Sequence, residues 1–163
     1  MPSEKPNWPR HHPHRLQREA YQQVNQPVFF SLCTAHRRPF LTEPRNAQAI
    51  IRALDADAPL RRSFVIAYCV MPDHLHFVAC VIAEGGDVLS FAEAAKKTTG
   101  QDLRQLGVAP PIWQRSLWDS HARKEEDLGE QIEYVLQNPV RRGLCGDPDE
   151  WPYSEFRGYP WDD

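Results

Sequence analysis

The chain has 163 residues, 25% of them charged and 41% hydrophobic, with a formal charge of −3. That is the make-up of one soluble globular domain, not of a disordered or fibrous chain. No apolar run reaches the ~20 residues that span a bilayer, and the opening MPSEKPNWPRHHPHR has no apolar signal core, so a cytoplasmic protein is expected.

Charge is unevenly spread. Residues 1–62 carry ten Lys/Arg against five Asp/Glu, whereas residues 147–163 carry one Arg against six acids. The mildly acidic total argues against an indiscriminate duplex binder, but the asymmetry allows a basic face with an acidic tail held away from it. Cys33, Cys69, Cys80 and Cys145 show no C-x-x-C pairing; three of them sit within apolar strand-like runs and read as buried thiols, not as disulfide or zinc ligands.

Along the chain, residues 1–25 are rich in Pro, His, Arg and Gln without periodicity, a flexible basic arm. PVFFSLCT (Pro27 to Thr34) is a first strand. Asn46 to Asp57 has apolar residues at helical spacing behind an Asn cap. Ser63 to Met71 and Leu75 to Ile82 form a β-hairpin around Pro72-Asp73. A second helix runs from Val88 to Leu106, and a fourth strand is expected around Leu117 to His121. A third helix spans Glu125 to Asn138 and is stopped by Pro139. The order predicts an α+β fold: a ferredoxin-like β-α-β-β-α-β core, an antiparallel sheet with helices on one face, plus a C-terminal helix carrying Tyr134. The domain is placed at 26–146, with an acidic aromatic tail, 147–163, packed on it.

Two local patterns carry chemistry. In YCVMPDHLHFVACV, His74 and His76 flank one apolar residue on a strand, so both imidazoles leave the same face, which is half of a metal site. On the third helix, advancing about 100° per residue from Leu128 puts Ile132, Val135 and Leu136 in one apolar stripe, with Tyr134 near about 240° and Asn138 near about 280°. A phenol and an amide one turn apart therefore project together, roughly opposite the core. Taken alone, each pattern has an ordinary reading, paired strand histidines and an exposed helix tyrosine.

Set together, the motifs resemble a known family. YCVMPDHLHFVACV resembles the His-apolar-His (HUH) strand of the single-tyrosine transposases. PIWQRSLWDSHARKEEDLGEQIEYVLQNPVRRGLC (Pro111 to Cys145) is similar to the REP-associated tyrosine transposase branch, through Trp113-Gln114, Trp118-Asp119, Tyr134 and Asn138-Pro139-Val140-Arg141-Arg142-Gly143-Leu144. WPYSEF (Trp151 to Phe156) resembles the family's closing segment, with Glu155 where a second Ser is usual. Asp73 stands where Asn is frequent. The likeness runs from about Arg15 to Gly158.

The resemblance implies that Tyr134 is the nucleophile and that His74, His76 and Asn138 bind a divalent metal; the donor set predicts Mg²⁺ or Mn²⁺, and Glu133 and Asp119 are fallback ligands for a third helix rotated from this placement. It implies a metal-dependent transposase that cuts and rejoins single-stranded DNA at an imperfect, REP-like hairpin through a 5′-phosphotyrosine. A monomer is expected. Candidate DNA contacts are Arg10, Arg15, Arg18, Arg37, Arg38, Arg61, Arg62, Lys96, Lys97, Arg115, Arg123, Arg141 and Arg142. Tyr153 and Tyr21 are the next candidate nucleophiles. Two other readings stay open: a hairpin-DNA-binding protein that no longer cleaves, and a metal-dependent nuclease that uses water.

Overall fold

The structure, a computed structural model, describes residues 17–121 and 125–162. In chain order these form α1 (Arg18–Gln22), β1 (Val28–Cys33), α2 (Pro44–Leu60), β2 (Ser63–Val70), β3 (His74–Val81), α3 (Val88–Gln105), β4 (Trp118–His121), α4 (Glu125–Arg141) and β5 (Ser154–Phe156). The strands make one sheet in the order β4-β1-β3-β2-β5, with antiparallel pairing throughout. β3 lies between β1 and β2, which the α2 crossover joins; this is the split β-α-β arrangement of ferredoxin-like folds.

The sheet is covered on both faces. Phe30, Leu32, Leu75, Phe77 and Ala79 pack with Ile50 and Leu54 of α2 and Phe91 and Ala95 of α3. On the other face, Phe29, Ala67, Cys69, Val78 and Cys80 pack with Leu128, Ile132 and Val135 of α4. Double coverage explains why β3 is buried at every position instead of alternating. Each fully buried aliphatic side chain contributes about 1.5–3 kcal/mol, so three of them hold α4 firmly to the sheet.

Several boundaries differ from the sequence expectations. α2 begins at Pro44, with proline in the first turn, where its missing N–H costs nothing. Asn46 is therefore not a cap: it is buried inside α2, and its amide donates to the Phe40 carbonyl at 2.9 Å. α4 passes through Pro139 and ends at Arg141. Residues 18–22, expected to be part of an unstructured arm, are helical because Tyr21 anchors them. Tyr21 is 2% exposed, and its hydroxyl donates to Asp119 Oδ2 at 2.7 Å. The tail adds a strand: Ser154 and Phe156 pair with Cys69 and Ala67 of β2.

Among the described residues no helix is long and apolar enough to cross a membrane. The four cysteines are free thiols. Cys69 and Cys80 are buried, and burial pushes each up to about 12.

Candidate active site

The hairpin turn between β2 and β3 is only Met71-Pro72-Asp73. It is clamped by Met71 N–H donating to the His74 carbonyl at 2.8 Å and Leu41 N–H donating to Pro72 at 3.0 Å. The Thr34 amide and hydroxyl donate to the Asp73 carbonyl at 3.0 and 3.1 Å. His74 is thus the first residue of β3, paired with Cys33 of β1. Directly paired residues share a face, so His76 stands in one row with Ser31, Trp118 and Cys69, on the side that α4 covers.

Both histidines are buried, at 4% and 8% exposure, with ring centroids 4.4 Å apart and planes at 70°. His74 Nδ1–H donates to Asp73 Oδ1 at 2.7 Å. A carboxylate only accepts, so this bond places the proton on Nδ1 and leaves Nε2 with a lone pair. Asn138 Nδ2 lies 3.1 Å from that Nε2 and donates to it. The second Asp73 oxygen pairs with Arg37 Nε at 3.1 Å. Hydrogen bonding from His74, with the nearby Arg37 and Arg142 charges, holds the Asp73 carboxyl down at about 2 despite its partial burial. Burial lowers His74. It lowers His76 well below the usual histidine range, reinforced by His74, Arg141, Arg37 and Arg142. Both rings are therefore neutral at pH 7, the form that coordinates metals. His76 Nδ1 is buried with no hydrogen-bond partner.

α4 brings the remaining groups. Tyr134 is half-buried, its ring centroid 6.1 Å from that of His76. Asn138 is 5% exposed, which corrects its expected position opposite the core: on the helical wheel it borders the buried stripe that Gln131, Val135 and Leu128 occupy. Arg141 Cζ lies 3.9 Å over the Tyr134 ring centroid, and its Nη2 donates to the Tyr134 carbonyl at 2.6 Å.

The structure thus brings His74, His76, Tyr134 and Asn138 to one place. It does not bring the fallback groups. Asp119 pairs with Phe30 in the sheet, so its side chain lies on the opposite face, where Tyr21 engages it. That contact also removes Tyr21 as a nucleophile. Glu133 is exposed on α4. Tyr153 packs against the α2–α3 core and its carbonyl accepts from Val70 N–H at 2.8 Å.

The candidate DNA contacts divide by position. Arg37, Arg141 and Arg142 surround the histidine pair. Arg38 is tied into the fold, donating to the Ala35, Ala109 and Pro111 carbonyls. Arg61 and Arg62 lie at the far end of β3, where their carbonyls accept from Asp87 and Ile82. Lys96 and Lys97 line an open groove of about 450 Å³ on the α3 side, floored by Trp113 and Pro111, with Arg104 beside them; Lys96 donates to the Arg115 carbonyl at 2.7 Å. Arg18 is exposed on α1. Arg10, Arg15 and Arg123 lie outside the described residues.

A Haemophilus influenzae protein assigned as a REP-associated tyrosine transposase is 30% identical over 106 residues, 56% of this chain and 57% of that protein. An Escherichia coli K12 REP-associated tyrosine transposase is 27% identical over 130 residues, 78% of this chain and 74% of that one. The chain is similar in sequence to these two REP-associated tyrosine transposases. Its fold matches a solved REP-associated tyrosine transposase bound to a REP hairpin, with a TM-score of 0.72 and 24% identity over 88% of this chain and 82% of that one. No family model matches the chain. Sequence reasoning passed over Asp73 as the orienting partner of His74. It counted Arg141 only as a DNA contact, and it did not pick out Arg104. The signal for Arg141 was available: it stands at i+7 from Tyr134 and i+3 from Asn138, on the same helical face.

Proposed function

We propose that the chain is a metal-dependent transposase that cleaves and rejoins single-stranded hairpin DNA, with Tyr134 forming a 5′-phosphotyrosine intermediate. The observation that carries this reading is the meeting of Tyr134 and Asn138, both from α4, with His74 and His76 of β3. Two elements far apart in sequence converge a nucleophile and a neutral donor set. The named relatives support the same reading, and the hairpin bound to the solved relative supports the DNA partner.

The residues fit a divalent ion. His74 Nε2 carries a lone pair that now accepts from the Asn138 amide nitrogen, His76 Nδ1 is buried without a partner, and a turn of the Asn138 amide would present its oxygen to an ion in place of that hydrogen bond. Among the described residues no cluster of three His, Cys, Asp or Glu side chains offers an alternative. We assign His74, His76 and Asn138 as ligands. Imidazole donors favour Mn²⁺ over Mg²⁺, which prefers oxygen. When bound, the ion would supply Lewis-acid polarisation of the scissile phosphate.

The chain's own groups do the rest. Asp73 fixes the His74 tautomer and ring orientation, as carboxylates do behind ligating histidines. The Tyr134 oxygen attacks phosphorus, the P–O3′ bond breaks, and in net the phenol proton ends on the 3′ oxygen. One phosphodiester is exchanged for another, so a later 3′-OH can reverse the step with no nucleotide hydrolysed. Arg37 and Arg142 give the site positive charge for the DNA backbone, and the Lys96–Lys97–Arg104 groove offers further phosphate contacts.

The test is incubation with single-stranded hairpin oligonucleotides and Mn²⁺, followed by denaturing electrophoresis. A protein–DNA adduct that Tyr134→Phe abolishes is expected. Cleaved DNA without an adduct would establish a water-using nuclease, hairpin binding without cleavage would establish a binding protein, and an adduct surviving in Tyr134→Phe would move the nucleophile.

A further inference from the structure

The same helix carries a second residue aimed at the phenol. Arg141 lies two turns beyond Tyr134, on the same face. Helical side chains lean toward the N-terminus, so the long Arg141 stem runs back along α4 and lays its guanidinium flat on the Tyr134 ring, Cζ 3.9 Å from the centroid. One Nη2 hydrogen is committed to the Tyr134 carbonyl at 2.6 Å. These two contacts fix the guanidinium against both the backbone and the ring of one residue, while Arg141 itself remains exposed. Pro139 lies between them; with no N–H of its own it cannot complete the helical ladder there, and the Arg141 bond spans that weak turn.

We propose that Arg141 is the positioning residue of the Tyr134 nucleophile: its stacked guanidinium holds the phenol in the orientation that faces His76. This rests on the assignment of Tyr134 as nucleophile. A tyrosine side chain turns about two bonds, and a half-buried one on a helix flank has more than one staggered position open to it. The cation over the ring face favours one of them. Lysine is no substitute, because its ammonium is a point charge on a flexible stem and cannot both stack and donate in a fixed fork.

The experiment compares Arg141→Lys and Arg141→Ala with the full chain in two assays. In the first, protein labelled with 3-fluorotyrosine is examined by fluorine NMR without DNA, the Tyr134 signal being the one missing from Tyr134→Phe. Both variants are expected to shift and broaden that signal while leaving the other tyrosines in place. In the second, single-turnover adduct formation on a hairpin oligonucleotide is measured across DNA concentrations. Misplacing a reacting group by about an ångström costs up to ~100-fold, so a roughly ten- to hundredfold lower rate at saturating DNA is expected, with half-saturation little changed.

An unmoved Tyr134 signal overturns the proposal even if activity falls. So does a wild-type rate at saturation with weaker half-saturation, which would make Arg141 a DNA contact only. If the chain forms no adduct at all, the nucleophile assignment fails, and the fluorine signal still decides whether Arg141 orients the ring. Should Arg141→Ala not fold, Arg141→Lys decides alone.

Discussion

The Asn138 amide meets His74 Nε2 at 3.1 Å across 64 residues of chain, closing α4 onto the first residue of β3. The contact ties the helix that carries Tyr134 to the strand that carries both imidazoles. Its partner on the other side of the ring is Asp73, so His74 is gripped at both nitrogens.

Replacing Asn138 by Ala removes one grip and leaves the other. A buried hydrogen bond lost on one side costs about 1–3 kcal/mol, so Asn138→Ala is expected to lower the urea midpoint by that order. If Asn138 is a metal ligand, the Mn²⁺ concentration for half-maximal cleavage should rise at least about tenfold. A variant that loses stability but keeps the wild-type Mn²⁺ curve would show that Asn138 only braces His74.

His76 presents the opposite balance. Its Nδ1 is buried without a partner, wedged beside Phe29 at 5.3 Å between ring centroids. An unsatisfied buried polar atom destabilises the fold by about 1–3 kcal/mol. His76→Leu should therefore raise stability at pH 7 by roughly 1 kcal/mol while abolishing cleavage. Denaturant unfolding of the two proteins checks this; a less stable His76→Leu would show that the imidazole is satisfied in solution.

How much of this was legible beforehand divides along physical lines. The strand face shared by His74 and His76 follows from alternation alone, and the α4 stripe of Leu128, Ile132 and Val135 from helical periodicity. Periodicity could not tell that α4 covers the second face of the sheet, because β3 is apolar on both sides apart from its histidines. For the same reason Asn138 was set opposite the core: its burial comes from the sheet end it meets, a tertiary fact. Pro139 was read as a stop, whereas near a helix C-terminus the penalty of a missing N–H is offset by the packing of the buried Pro139. Asp119 illustrates the limit most sharply. It was held as a fallback ligand for a rotated third helix, yet its register opposite Phe30 sends it to the far face, where Tyr21 holds it.

Acid stability should fall in two stages, and the sign follows from which state binds the proton. Burial lowers His76 well below its ordinary value in the folded protein, whereas the unfolded chain titrates near ~6.5. The unfolded state therefore takes up protons first, and stability present above about pH 6.5 is lost as pH falls below it. Asp73 follows. It is held at about 2 when folded against 3.8 for the free group, so its share is intact above about pH 4 and lost as pH falls toward 2. At 1.36 kcal/mol per unit that share is about 2 kcal/mol. Urea midpoints measured from pH 8 to 2 should show both losses, with His76→Leu flattening the upper one and Asp73→Asn the lower. An upper stage that persists undiminished in His76→Leu would assign it to His74 or another histidine, and with it the claim that His76 is the ring most unwilling to charge would fall.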